Sequence, residues 1–247
     1  TAQSLAAAQR TIDDDRSVHS LHAYFLRPGQ VGVPIVYEVD RIRDGRSFST
    51  RRVVAIQHGE AIFNMAASFH VLEPGFEHAR PFPVGTPEPE SLPDFAERVA
   101  ARKTAIPREI LDMPRPIDQR NVDIDFDDRH EHAFPPHQRV WIKASGDLGD
   151  DPRTHACLLA YASDASVLDT SLLPHRRTFM SPDMMMASID HAMWFHKAFR
   201  MDEWLLYEQD SPVAQGARGL GRGLVYTREG ELVASVAQEG LIRKLER

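Results

Sequence analysis

The 247-residue chain carries 29 Lys and Arg against 36 Asp and Glu, a net charge of −7, a balance that argues against a nucleic-acid coat and against docking on an anionic membrane. With 42% hydrophobic residues the composition is that of an ordinary globular protein; no apolar run approaches the roughly 18 to 20 residues of a membrane span, and the first residues read as neither a signal nor a transit peptide. One cysteine, Cys157, excludes an internal disulfide and a cysteine-rich metal site, and suits a reducing compartment.

The chain opens on "TAQSLAAAQRTI", alanine-rich with apolar residues at helical spacing, which predicts a helix. Extended segments follow in "SLHAYFLRP", "PIVYEVD" and "IQHGEAIFNMAASF", with glycine-containing turns between them. Proline then dominates, 11 of the 17 falling between Pro74 and Pro136, which is a linker signature. Within that stretch "SLPDFAERVAARKTA" predicts a short surface helix capped by Ser91. Beyond it lie two predicted strands, "NVDIDF" and "QRVWIKASG", then a predicted helix across "THACLLAYASDASVLDTSLL" and further strands in "MASIDHAMWF", "EWLLYEQD" and "YTREGELVASVAQEG".

The segments flanking the linker resemble each other. Pairing His22 with His191, Tyr37 with Tyr207 and Gly59 with Gly230 gives offsets of 169, 170 and 171, so the landmarks keep register with almost no insertion. The predicted architecture is α+β: two units, over 1–72 and 119–247, each an antiparallel sheet wrapped around one long helix, with the sheets joined edge to edge and a linker with a short helix over 73–118. The first copy lacks a strand before its helix, so the chain reads as starting inside its first repeat.

Polar residues break the apolar pattern mainly in the second copy. Along the last strand Leu232, Ala234 and Val236 share a face, and Gln238 takes the next place in that row. A buried amide must find partners or costs about 1 to 3 kcal/mol. On the second helix, steps of three and four residues put Asp164 on one arc with Cys157, Ala160, Tyr161 and Leu168; a carboxylate there is costly unless bonded and is the residue type of a general base. The alternative is that Asp164 ends one helix and caps another at "SDAS". Ser188 reads either as an ordinary strand hydroxyl or as part of a site. By these offsets it corresponds to His19, and Gln238 to Ala67, so one half holds a hydroxyl and an amide that the other lacks.

Other motifs are weaker. His130, His132 and His137 in "RHEHAFPPH" sit in a proline-bearing loop and make a poor metal site. The glycines of "GARGLGRG" lack the lysine and helix of a phosphate loop and instead permit a bulge or a close approach to the strand. Cys157, in an apolar helical setting, reads as an inert thiol.

Taken together, "HSLHAYFLRPG", "RDGRSFSTRRVVAIQHGEAIFNMAASF", "SIDHAMWFH", "EWLLYEQDSPVAQGARGL" and "LVASVAQEGLIR" resemble the acyl-CoA thioesterase II family, in order and through both halves. The resemblance implies a double hotdog fold and hydrolysis of fatty acyl-CoA to free acid and CoA. It also implies a catalytic set of Asp164 from "YASD", Ser188 from "ASIDH" and Gln238 from "VAQEG", with serine where threonine is often found. Asp164 would activate a water held by Ser188 and Gln238. No cofactor or metal is expected, coenzyme A being part of the substrate, and the chain is expected to form a homo-oligomer. The ending "KLER" does not read as a peroxisomal address, so the expected location is the cytoplasm. The competing readings are a hotdog enoyl-CoA hydratase and a non-catalytic acyl-CoA-binding module.

Overall fold

The computed structural model describes residues 1–101, 108–111, 114–124 and 128–245. Its strands are β1 (Arg16–Phe25), β2 (Val36–Asp44), β3 (Phe48–Gln57), β4 (Glu60–Val71), β5 (Ile117–Asn121), β6 (His137–Ala144), β7 (Met184–Ser188), β8 (Asp190–Phe195), β9 (Leu205–Gln215), β10 (Arg218–Thr227) and β11 (Leu232–Lys244). Its α-helices are α1 (Ala2–Gln9), α2 (Phe95–Ala101), α3 (Arg108–Leu111), α4 (Asp128–Glu131) and α5 (Pro152–Ala162). Among the described residues eleven strands form one antiparallel sheet in the order β2-β3-β4-β1-β8-β11-β10-β9-β6-β5, with β7 also paired to β11.

The halves meet at β1 and β8, whose register runs Leu21↔Met193, His22↔Ala192 and Ala23↔His191. Position 22 therefore faces position 192, and the structural repeat here has an offset of 170. The sequence pairing of His22 with His191 is one residue out of step. Strand alternation shows the consequence: Leu21 and Ala23 are buried while His22 is exposed, and His191 and Met193 are buried while Ala192 is only partly so. Tyr37 with Tyr207 and Gly59 with Gly230 do correspond, and both glycines take a positive φ in the hairpin turns they close.

Leu5 and Ala8 of α1 and Ala156, Leu159 and Ala160 of α5 pack with the inner sheet residues Val53, Met65, Val140, Ile142, Tyr207 and Val225 in one core. The helices have eight and eleven residues, and most of their stability comes from this apolar contact. A second cluster, Trp141, Trp204, Leu206 and Tyr226, is covered by Phe82 and Leu92 of the linker. Polar contacts fasten that cover: Trp141 Nε1 donates to Pro87 O at 2.9 Å and Arg120 Nη1 to Leu92 O at 2.7 Å.

The linker helix is capped by Asp94, which exchanges hydrogen bonds with Glu97 in a capping box, and Ser91 ends a preceding 3-10 turn. Residues 102–105 of that predicted helix lie outside the described residues. The strand expected at "NVDIDF" is displaced to Ile117–Asn121, and residues 125 and 126 of that motif also lie outside the described residues. Leu232 leaves the row of Ala234, because a register shift opposite Val225 and Tyr226 inserts Val233 and turns Leu232 toward the tryptophan cluster.

Candidate active site

The α-helical part of the second predicted helix ends at Ala162, and Val167–Ser171 continues as a 3-10 turn. Asp164 lies between them. It is therefore not on the helical stripe, and Tyr161, expected on the same arc, is 53% exposed. Nor does Asp164 cap the next turn, whose N-cap is Ser166. The break has a local cause: Ser163, Asp164 and Ser166 are weak helix formers, and their side chains bond other side chains across the fold instead of supporting a continued helix. It also has a tertiary one. Gly219 and Gly221 of β10 and Gly240 of β11 leave the inner sheet surface bare where this turn docks; a Cβ at Gly221 would come within 2.5 Å of Val167 O, and one at Gly240 within 2.1 Å of Leu168 Cδ2. Gly219 and Gly221 of "GARGLGRG" thus serve close approach and let the backbone that follows Asp164 sit against the sheet, while Gly216 takes a positive φ in the turn before β10 and Gly223 makes room for Tyr207.

Strand alternation alone would place Ser188 on the face opposite His191. The pairing shows why it is not there. Ser188 faces Gly240 and Ala192 faces Ala237, so four steps on one strand match three on β11, a bulge at the junction of β7 and β8. Across the repeat, the matching bulge in β1 lies between Val18 and Ser20. Ser188 therefore corresponds to Val18, not to His19. Gln238 does correspond to Ala67, and His191 to Leu21.

These adjustments bring the three predicted site residues together. Gln238, wholly buried on β11, donates from Nε2 to Asp164 Oδ1 at 2.6 Å and to Ser188 Oγ at 2.7 Å; Ser188 Oγ donates to Asp164 Oδ1 at 3.3 Å. Both amide protons are used. Among the described residues nothing donates to Asp164 Oδ2, which leaves that oxygen as the available base. His191 and Ser163 are further members that the sequence reading did not single out: Gln238 Oε1 lies 2.8 Å from His191 Nδ1, and His191 Nε2 lies 2.9 Å from Ser163 Oγ. A histidine on the same buried row as Met193 was the available signal. Burial holds the His191 pKa below the ordinary imidazole value of 6.5, against the opposing pull of Asp164, which favours the uncharged ring at neutral pH.

Cys157 takes no part in this cluster, and burial, with Asp151 adding to it, pushes its thiol up to about 11. In the histidine loop His130 Nε2 lies 3.4 Å from Thr178 Oγ1 and His137 Nε2 lies 3.3 Å from Glu208 Oε1; among the described residues no group of three metal-ligating side chains converges.

Residues 1–70 match a family model described as the acyl-CoA thioesterase N-terminal domain, and residues 118–241 match the acyl-CoA thioesterase model. The chain is 40% identical to acyl-CoA thioesterase 2 of Haemophilus influenzae, over 98% of its own length and 85% of that protein. It is also 40% identical to mouse acyl-coenzyme A thioesterase 8, over 98% and 78%. The crystal structure of an acyl-CoA thioesterase II from Mycobacterium marinum superposes with a TM-score of 0.82 at 43% identity, covering 98% of this chain and 87% of that one. A hot dog fold protein from Alicyclobacillus acidocaldarius, 17% identical with a TM-score of 0.78, shares the fold.

Proposed function

Because the chain belongs to the acyl-CoA thioesterase II family and is a hydrolase of acyl-CoA thioesters, with a double hotdog fold, we propose that Asp164, Ser188 and Gln238 are its catalytic residues. The observation that carries this is their direct hydrogen bonding around a carboxylate with one oxygen left open. A water beside Asp164 Oδ2 gives up a proton to it as the water oxygen attacks the thioester carbonyl carbon. The tetrahedral intermediate expels the CoA sulfur, which takes the proton back from Asp164 and leaves as the thiol, and the acid is released. Gln238 and Ser188 hold Asp164 Oδ1 and so aim Oδ2; the Ser188 oxygen, its proton given to Asp164, keeps a lone pair that can accept from the water, whereas Gln238, expected to hold the water too, has both donors and its oxygen already engaged. The substrate in this reading is a fatty acyl-CoA.

The hydratase alternative would require an aspartate and a histidine that both meet substrate. His191 is 0% exposed with both ring nitrogens engaged, which disfavours it. The binding-module alternative predicts saturable binding with no free CoA released. In a thiol-trapping assay with saturated acyl-CoA substrates, Asp164→Asn is expected to lower kcat by about 10² or more, whereas Cys157→Ala is expected to leave it near wild type. Near-normal turnover by the asparagine variant refutes the assignment.

A cytoplasmic location and self-association accompany this proposal. The single cysteine supports the first, and the sheet edges formed by β2 and β5 support the second. Among the described residues no helix is long and apolar enough to cross a membrane. Light scattering on the eluted protein tests the association; a monomer at all concentrations rejects it.

A further inference from the structure

We propose that His191 is a positioning residue for the hydrolysis, held as the Nδ1–H tautomer so that it locks the Gln238 amide and the Ser163–Asp164 turn in one arrangement. The inference rests on the catalytic assignment just made and extends it to a group that never touches substrate.

The proton positions follow from one fixed point. A carboxylate only accepts, so the Gln238 atom 2.6 Å from Asp164 Oδ1 must be the amide nitrogen. Its oxygen then faces His191 Nδ1 at 2.8 Å, and because an amide oxygen also only accepts, Nδ1 carries the hydrogen. In a neutral ring Nε2 is then an acceptor; the single Ser163 hydroxyl proton has two acceptors within reach, Nε2 at 2.9 Å and Met193 Sδ at 3.3 Å, and it goes to the nearer ring nitrogen because a thioether sulfur accepts only weakly. Ser163 adjoins Asp164 in the chain. The hydrogen bonds therefore close a ring: Asp164 to Gln238, Gln238 to His191, His191 to Ser163, and back to Asp164 through one peptide bond.

With the other tautomer two acceptors would face each other. Gln238 would then be driven to flip, presenting its oxygen to the Asp164 carboxylate and removing the donors that aim it. The first half shows that the fold itself does not need this ring: the corresponding positions hold Leu21 and Ala67, both buried in the core. Ordinary packing serves there, and the buried imidazole and amide occur in the half that carries Asp164.

Two substitutions separate positioning from packing. The side-chain nitrogen of Asn sits one bond from Cγ, as His Nδ1 does, so His191→Asn can still donate to Gln238 Oε1. In His191→Gln the nitrogen lies at the Nε2 distance, toward Ser163. In the full chain, with a saturated acyl-CoA and thiol trapping, His191→Asn is expected to keep kcat within about 3-fold of wild type. His191→Gln is expected to lose about 10- to 100-fold in kcat with KM within about 2-fold. Equal kcat for the two variants overturns the proposal. Asp164→Asn is measured alongside: if it keeps turnover the catalytic assignment itself fails, whereas an inactive Asp164→Asn with indistinguishable His191 variants removes His191 alone. Should either His191 variant fail to fold, the wild-type protein labelled with ¹⁵N-histidine decides. A proton on Nδ1 and a bare Nε2 are expected at neutral pH, and a proton on Nε2 overturns the assignment.

Discussion

An amide at position 238 supplies what a carboxylate or a hydroxyl cannot, two donors on one nitrogen and an acceptor on the other arm, and each is used. Gln238→Glu would set a second carboxyl against Asp164 Oδ1, where two like charges cannot both ionise freely. Its expected kcat at neutral pH is lower by at least about 10², and wild-type turnover would show that the amide has no part in aiming Asp164. The neutral histidines carry a separate consequence. Burial lowers the pKa of His19, His191 and His196 from 6.5. Below pH 6.5 the unfolded chain therefore binds protons that the folded chain resists, so stability is full above that pH and declines as pH falls. Thermal midpoints measured from pH 7.5 to 5 are expected to fall, and to fall less steeply in His191→Asn; identical slopes would mean that His191 does not resist protonation.

At the level of the elements, two irregularities make the site. The bulge between β7 and β8 turns Ser188 to the inner face. The glycine-lined surface of β10 and β11 admits the turn that follows Asp164. Gly221→Ala forces a methyl against the Val167 carbonyl, which is backbone and has no rotamer to change. Overpacking of this kind costs about 1 to 3 kcal/mol, and because the displaced segment begins three residues after Asp164, kcat is expected to drop at least about 10-fold. Unchanged kinetics and thermal midpoint would show that the turn does not depend on the bare surface.

Across the whole molecule, the two halves share strand order, the β1 and β7–β8 bulges and the positive-φ hairpin glycines, yet differ in what fills the cleft. Opposite Gln238 lies Gly221, whereas opposite its counterpart Ala67 lies Arg51. Arg51 is 2% exposed and bonds Thr11 Oγ1 at 2.8 Å and Thr11 O at 3.0 Å, with Asp44 as its ion-pair partner. The first cleft is therefore plugged by a satisfied arginine. Arg51→Ala removes a buried, bonded side chain and is expected to lower the thermal midpoint by several degrees, while kcat/KM stays within about 2-fold because the sites share no partner. A large fall in turnover would show that the clefts are coupled.

The sequence by itself determined the duplication and the α+β class, because hairpin glycines and apolar rows are properties of single segments. The aspartate, serine and glutamine that meet were named together by the resemblance to a family; the residues alone marked each as a polar exception and left its role open. Tertiary structure alone decided where Asp164 sits, which face Ser188 takes, which residue of the first half each one matches, and that His191 belongs with them. Periodicity assumes unbroken elements, and here a helix stops at Ala162 and a strand gains a residue near Ile189. The bonds from Gln238 to Asp164 and to His191 span 74 and 47 residues. Contacts of that range are set by strand order and register across the sheet, which no window along the chain contains.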